Sequence, residues 1–212
     1  MEIITLTDDH MGMNTYVIRE NSHCFFIDPI WSDELRQATD HYTPDFAILT
    51  HEHFDHIRGV NDIRKQYPGM QIRCGRYAEK GLSDASVNLS KYLVYLLKIL
   101  PFGDGKVEAC LYTCSADGLC KDEETITWEG HLLRIHETPG HSAGSISILA
   151  DEKFLFSGDV IFKEYPTATK LPGGSIRAWN DITKPWLEGL PQDILVYPGH
   201  TEPFLLKQRY QE

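Results

Sequence analysis

The segment 50–56, Thr-His-Glu-His-Phe-Asp-His, constrains this chain more than any other feature of the sequence. It places three imidazoles and the carboxylate of Asp55 within six residues, directly after an apolar run that is typical of a buried strand. Alternate residues of an extended segment point to the same side, so His51 and His53 can aim at one point. Asp55 and His56 open an amphipathic segment that predicts a helix over about 55–67, and they can aim at a second point. This spacing predicts two neighbouring metal ions.

The ligand types narrow the choice of metal. Neutral imidazole binds zinc, iron, nickel or copper, whereas magnesium and calcium sites are built from oxygen ligands. The alternative interpretation is an ordinary helix start, with Asp55 as the N-cap and solvated polar neighbours. Ligands at this density favour the metal site.

Three further polar residues share one setting, an apolar run followed by a glycine-flanked turn. They are His141 in Thr-Pro-Gly-His-Ser, Asp159 in Phe-Ser-Gly-Asp and His200 in Tyr-Pro-Gly-His-Thr. Sites are often assembled where strand ends meet one rim of a sheet, and the neighbouring glycine lets the backbone pass close to a ligand. Each residue alone is typical of a loop, but together with the segment 50–56 they complete two coordination spheres.

With these motifs in this order, the chain resembles the metallo-β-lactamase superfamily, and within it the glyoxalase II-like hydrolases, over essentially its whole length. The resemblance implies that Asp28, which follows an earlier strand, orients the motif as a hydrogen-bond acceptor. It also implies a catalytic role for the carboxylates Asp55 and Asp159. The implied metal ligands are His51, His53 and His141 for the first ion, Asp55, His56 and His200 for the second, and Asp159 as the bridge.

The same resemblance implies an α/β fold, a four-layer αβ/βα metallo-β-lactamase sandwich, formed by residues 1–212 as one domain. Strands followed by alternating strands and helices likewise predict sheets with helices packed outside. A helical insertion is expected around 76–121, where the alternation stops. Its centre is a helix with apolar residues on two faces, which predicts extra core, a cap over the site or a contact between subunits.

The implied function is that of a dinuclear-metal hydrolase, in which a metal-bridging hydroxide cleaves an ester-like bond. The first substrate class is a thioester of the hydroxyacylglutathione type. A mononuclear-iron persulfide dioxygenase and a lactonase of the same superfamily are the alternatives. The expected cofactors are two divalent metal ions, zinc first, with iron and manganese as alternatives.

One loop departs from the family pattern. Residues 171–174, Leu-Pro-Gly-Gly, match a loop of some small glyoxalase II-like proteins, but Lys170 stands where those proteins have Asp. Lys170 or Arg177 is therefore a candidate for binding a substrate carboxylate, with a solvated loop cation as the alternative.

The composition limits the classes of molecule that the chain is expected to bind. A net charge of −11 argues against nucleic acid, because phosphate binding needs clustered Lys and Arg. Neither end has a signal peptide or a membrane-length apolar run, which predicts a cytoplasmic protein with a small-molecule substrate and no membrane partner. The five cysteines are then reduced thiols, and Cys110, Cys114 and Cys120 either pack or hold an extra metal. The 84–103 helix is the candidate contact of a homo-oligomer.

Overall fold

The computed structural model describes residues 1–96 and 110–211, and their strands form two six-stranded sheets. In each sheet, the strands lie side by side in the order in which they occur along the chain. The first sheet consists of β1 (Glu2–Thr7), β2 (Asn14–Glu20), β3 (His23–Ile27), β4 (Thr43–Leu49), β5 (Gln71–Gly75) and β6 (Gly118–Cys120). The second sheet consists of β7 (Thr125–Trp128), β8 (His131–Glu137), β9 (Ile146–Ala150), β10 (Phe154–Gly158), β11 (Leu195–Pro198) and β12 (Phe204–Leu205).

Strand direction follows the connections. Short turns join antiparallel neighbours, as at Glu129–Gly130, where both φ angles are positive (46° and 83°) as a type I′ hairpin requires. The parallel pairs from β3 to β6 and from β10 to β11 are joined by helical connections.

No helix in the described ranges is long and apolar enough to cross a membrane. The α-helices are α1 (Asp33–Ala38), α2 (Phe54–Ile57), α3 (Val60–Gln66), α4 (Glu79–Leu82), α5 (Leu93–Leu96), α6 (Ile176–Ala178) and α7 (Lys184–Gly189).

Three apolar cores separate the layers. Adjacent residues of β3 point to opposite faces, so Phe25 lies between the two sheets and Phe26 lies under the outer helices. Leu35 of α1 and Ile63 of α3 cover the first sheet, and Leu187 of α7 covers the second. The molecule is therefore an αβ/βα sandwich, as predicted.

In its described residues, the predicted helical insertion around 76–121 contains α4, a 3-10 turn at Ser90–Tyr92 and α5. Its last residues form β6, which pairs in parallel with β5. The sequence did not indicate this strand, because three residues are too few to show a period. Residues 97–109 lie outside the described part of the chain, and so does much of the predicted 84–103 helix.

The helix expected over 55–67 is divided into α2 and α3. Gly59 lies between them, and a Cβ atom there would stand 2.2 Å from the carbonyl oxygen of Pro29. The break between the single turn of α2 and the longer helix thus falls where the chain passes close to Pro29. Asp55 and His56 are therefore carried by a short turn of their own.

Candidate metal centre

The loop after β4 brings together the four candidate ligands of the segment 50–56. The rings of His51 and His53 lie 4.6 Å apart between centroids, and the ring of His56 lies 4.2 Å from that of His51. His53 keeps extended backbone angles and caps α2, whose first turn carries Asp55 and His56. The alternation of an extended segment thus continues beyond the last strand residue, Leu49.

The other three candidates follow three strands of the second sheet. His141 follows β8, Asp159 follows β10 directly, and His200 lies two residues beyond β11. These three strands run in the same direction, since β8 and β10 are each antiparallel to β9, and β11 is parallel to β10. Their carboxyl ends therefore meet at one edge of the sheet.

Hydrogen bonds join the two sheets at this edge. The Ile146 amide donates to the Thr50 carbonyl at 2.8 Å, and the Asn14 amide donates to the Gly199 carbonyl at 2.7 Å. The loop with His51 thereby lies against the start of β9, and the loop with His200 lies against the start of β2. All seven candidate residues, called the cluster below, come together where the sheets meet.

Within the cluster, His51, His53 and His141 form one group whose ligand atoms lie within 4.8 Å of one another. The His141 Nε2 atom is 2.9 Å from the His53 Nδ1 atom, so two ring nitrogens face the same point. The ring of His141 also lies 5.0 Å from that of His51 between centroids. Three nitrogen donors that converge in this way fit one divalent cation.

Asp55, His56 and His200 form a second group of the same size. The Asp55 Oδ2 atom lies 3.2 Å from His200 Nε2 and 3.8 Å from His56 Nε2. Asp159 stands between the groups, because its Oδ1 atom lies 3.3 Å from His56 Nε2 and its Oδ2 atom lies 3.6 Å from His141 Nε2. One carboxylate therefore faces both groups.

The protein holds the far side of three of the rings, those of His56, His141 and His200. The Asp28 carboxylate accepts from His56 Nδ1 at 2.8 Å and from the Thr50 amide and hydroxyl at 2.7 and 2.6 Å, as the resemblance implied. His200 Nδ1 lies 3.0 Å from the carbonyl oxygen of Gly12, and His141 Nδ1 lies 3.1 Å from that of Ala168. These partners fix the tautomer that leaves Nε2 with its lone pair.

Several polar atoms of the cluster lack a hydrogen-bond partner among residues 1–96 and 110–211. The Nε2 atoms of His51 and His56 and the Oδ1 atom of Asp159 are buried without a hydrogen bond. Buried polar groups are normally paired, so unpaired atoms that converge on one space call for a ligand. Imidazole and carboxylate donors suit zinc, iron or manganese, and the residues present fit two such ions.

Burial keeps three of the imidazoles neutral. It holds the pKa of His51 well below the ordinary value, with His56 and His53 adding to the shift. Burial lowers the pKa of His53 to about 3, and it also lowers the pKa of His141. The first group therefore offers three lone pairs near neutral pH.

Without a bound cation, protons on the imidazoles of the second group offset the negative charge of the nearby carboxylates. Burial lowers the pKa of His56, but the carboxylates of Asp159 and Asp55 outweigh burial and raise it well above its usual value. The pKa of His200 is raised by the same two carboxylates against the effect of burial. A cation that binds here must displace these protons, so its affinity increases with pH.

Two glycines let the strand ends approach the cluster. A Cβ atom on Gly199 would lie 2.1 Å from Asp159 Oδ1 and 2.7 Å from His56 Cε1. Gly158 has a φ of 51°, and a Cβ atom there would lie 2.5 Å from Thr50 Oγ1. The glycines beside the candidate residues thus have a steric role, as the sequence predicts.

A pocket of about 210 Å³ opens onto the cluster. Its wall opposite the cluster is mainly apolar and comes from separate segments of the chain. Sequence reasoning did not find this wall, because its residues show no common spacing. The pocket is lined by Met11, His53, Phe54, Asp55, Leu89, Leu93, His141, Asp159, Phe162, Tyr165, Pro166, Ala168, Leu171 and His200.

Sequence reasoning also missed Glu52, which lies between two candidate ligands. Its side chain is 1% exposed, and its carboxylate accepts from the Ser142 hydroxyl at 2.8 Å. Burial raises the pKa of Glu52. The alternation that directs His51 and His53 to the cluster directs Glu52 to the other side. This alternation was the feature of the sequence that could have indicated a separate role for Glu52.

Other predicted residues lie elsewhere. The exposed side chains of Lys170 and Arg177 do not line the pocket, and Arg177 pairs with Asp181 at 3.3 Å. Within residues 1–96 and 110–211, no group of potential ligands includes a cysteine, whereas His136 groups with two exposed acidic residues. The five other histidines lie outside the cluster; they are His10, His23, His41, His131 and His136.

Comparison with known proteins gives consistent matches. The profile of the metallo-beta-lactamase superfamily matches residues 11–200. YqgX of Bacillus subtilis, a probable metallo-hydrolase, is 28% identical over 194 residues, 88% of this chain and 84% of that protein. A hydroxyacylglutathione hydrolase of Serratia proteamaculans is 26% identical over 85% of this chain but 58% of its own length. The crystal structure of BLEG-1 B3 metallo-beta-lactamase matches with a TM-score of 0.79 and 26% identity, over 98% of this chain and 95% of that one.

Proposed function

The chain belongs to the metallo-beta-lactamase superfamily, and on that premise we propose that it hydrolyses an ester-like bond with two divalent cations held by the cluster. The observation that carries the proposal is the convergence of seven side chains whose inward nitrogen and oxygen atoms are buried and partly unpaired. The similarity to a probable metallo-hydrolase and to a hydroxyacylglutathione hydrolase supports the same class of reaction.

The two groups of the cluster divide the ligands. His51, His53 and His141 would hold the first cation, and Asp55, His56 and His200 would hold the second. Asp159 would contact both, since its two oxygens face different groups. Zinc is the first candidate, with iron and manganese as alternatives that the same donors suit.

The residues of the chain orient the reaction. Two such cations, when bound, lower the pKa of a water between them and polarise the carbonyl group that it attacks. Asp28 fixes His56 and, through Thr50, the ring of His51. Asp55 and Asp159 balance the charge in a buried site where electrostatic interactions are strong. No serine or cysteine nucleophile is required.

A thioester is the first ester-like substrate to consider. Water adds to the carbonyl carbon, the carbon–sulfur bond breaks, and the thiolate that leaves takes up a proton, so the products are an acid and a thiol. A thiolate leaves without prior protonation more readily than an alkoxide, since thiols have pKa values of about 8.5. The hydroxyacylglutathione type is the first member to test, because it is named for one relative.

The test combines metal analysis with a substrate panel. The purified protein is stripped of metal, reloaded separately with zinc, iron or manganese, and assayed on a thioester, a lactone and a phosphodiester. We expect two metal ions per chain and hydrolysis of the thioester or the lactone. One ion per chain, with oxygen uptake on glutathione persulfide and no hydrolysis, would favour the dioxygenase and overturn the proposal.

A further inference from the structure

We propose that the pocket in front of the cluster binds a small, uncharged, apolar acyl group, so that the substrate is a thioester or ester of an apolar acid. This inference rests on the proposed function and names its substrate class. It predicts that the polar acyl group of a hydroxyacyl compound is a poorer fit than an alkyl chain.

The first argument is the distribution of polar atoms on the pocket wall. Five of the fourteen lining residues belong to the cluster, and the other nine are apolar except for the Tyr165 hydroxyl. Met11, Phe54, Leu89 and Leu93 are each at most 5% exposed and form one side of the wall. A bound substrate would therefore contact polar groups at the reacting bond and apolar side chains beyond it.

The second argument is that part of this wall is held in place against its backbone preference. Leu89 has a φ of 68°, and in the described ranges it is the one aliphatic residue with a positive φ. Such a conformation is unfavourable for a bulky side chain and persists only where the surroundings impose it. An imposed conformation at a pocket residue points to a role for that side chain in the pocket.

The surroundings that impose it are hydrogen bonds of buried polar residues. The Asn88 carbonyl accepts from the Phe54 amide at 2.8 Å, and its side-chain oxygen accepts from the Ser90 amide at 3.0 Å. The Asn88 side-chain nitrogen donates to the Tyr112 carbonyl at 2.9 Å. These bonds tie the Leu89 segment directly to the start of α2, so the apolar wall is built onto the candidate centre itself.

The third argument is the cost of a polar acyl group. Among the described lining residues there is no Lys or Arg, and Lys170 is exposed outside the lining. A carboxylate or hydroxyl at the end of the acyl chain would lose water and would meet hydrocarbon everywhere on this wall except at the Tyr165 hydroxyl. An alkyl chain instead gains free energy from each methylene that it buries.

The test uses thioesters of one uncharged thiol, N-acetylcysteamine, with acetyl, butyryl, 3-hydroxybutyryl, hexanoyl and succinyl groups, on the metal-loaded protein. We expect kcat/KM to increase roughly threefold to fourfold for each added methylene until the pocket is full. Succinyl, which matches butyryl but ends in a carboxylate, should be at least about tenfold poorer. A flat series, or a preference for succinyl or for a hydroxyacyl group, would overturn the inference.

A pair of variants locates the effect. Leu89→Ala should lower the hexanoyl-to-acetyl ratio of kcat/KM by about tenfold, because the wall recedes from the chain. Leu132→Ala makes the same chemical change at a side chain that is 52% exposed and outside the pocket, and should leave the ratio unchanged. Equal ratios in both variants and the wild type would show that Leu89 does not set the preference.

Ligand binding separates this inference from the proposed function. In ketone analogues, a methylene replaces the thioester sulfur, so the compounds bind without being cleaved. Titration calorimetry on the wild-type protein should show affinity that increases with acyl length. If neither the thioesters nor the lactone is hydrolysed, the proposed function fails, yet increasing ketone affinity would still support an acyl pocket. Ketone affinity that is independent of chain length would overturn it.

Discussion

The two sheets supply the cluster in different ways. The first sheet gives four of the seven residues from one short segment after β4, whereas the second gives three residues from the ends of β8, β10 and β11. Neighbours in sequence cannot move far apart, so the first set is positioned largely by local backbone. The second set converges only when three strands have paired. One half of the centre is therefore local, and the other half depends on the sheet.

Removal of one ligand from each sheet tests whether both halves are needed. His56→Ala and Asp159→Ala should each lower turnover by at least about a hundredfold, because either change removes a donor from the proposed two-ion centre. His41→Ala, at a side chain that is 90% exposed, is the control. Circular dichroism should show the fold retained in all three variants. Full activity of both cluster variants would contradict the two-ion mechanism.

A glycine substitution tests the steric fit of the second sheet against the first. Gly199→Ala would place a methyl group 2.1 Å from Asp159 Oδ1, so the strand end must shift away from the cluster. We expect kcat to fall by about a hundredfold, since small displacements of reacting groups have effects of this size. Gly189→Ala, where a Cβ atom would meet nothing within 4 Å, should behave like the wild type. Similar kcat values in both variants would mean that the two sheets do not need this close approach.

Hydrogen bonds to the Asp28 carboxylate hold the part of the cluster that comes from the first sheet. Asp28→Asn weakens the hydrogen bonds to His56 and Thr50, and we expect a tenfold to hundredfold loss of metal affinity or activity, roughly the usual effect of changing such a partner. Competition with a chelator measures the affinity. Asp40→Asn, at a carboxylate that is 70% exposed, is the control. An unchanged affinity in Asp28→Asn would show that backbone alone positions the motif.

Glu52 joins the two halves, because it lies in the motif of the first sheet and accepts from Ser142 beside His141. Glu52→Ala removes that acceptor, and we expect metal affinity to fall by about tenfold. Glu52→Gln keeps an oxygen that can accept the same hydrogen bond, so it should stay within about threefold of the wild type. A loss of equal size in both variants would assign the effect to the charge of Glu52 instead of to the link.

At another contact between the sheets, Asp45 of the first sheet accepts from Trp128 of the second at 2.7 Å and from His23 at 2.9 Å. The hydrogen bond to Asp45 raises the pKa of His23. A raised pKa stabilises the fold below the unfolded value of about 6.5, and the effect is lost as pH increases through the folded pKa.

His23→Gln should therefore lower Tm more at about pH 5.5 than at about pH 8.5. The difference should stay below about 2 °C, because the pair is solvated. Thermal melts at the two pH values measure it. Equal losses at both would rule out the protonated pair as the cause.

The sequence predicted the local half of the centre more directly than the rest. His51, His53, Asp55 and His56 stand so close together that their spacing alone indicates a metal site. His141, Asp159 and His200 gained meaning only as a set, from their glycine-flanked turns and from a family resemblance. The strand β6 was not indicated, and the helix expected over 55–67 is interrupted at Gly59, because both features depend on contacts with distant segments.

By itself, the sequence determined most of the order of strands and helices, the chemistry of the donor atoms and the turns at which they stand, since these follow from local backbone preference and side-chain type. The tertiary structure alone decided that three strand ends meet the motif, that Glu52 faces Ser142, and that an apolar wall including Leu89 stands opposite the cluster. These features join residues far apart in the chain, and their distances are set by sheet pairing and packing, which no local pattern records.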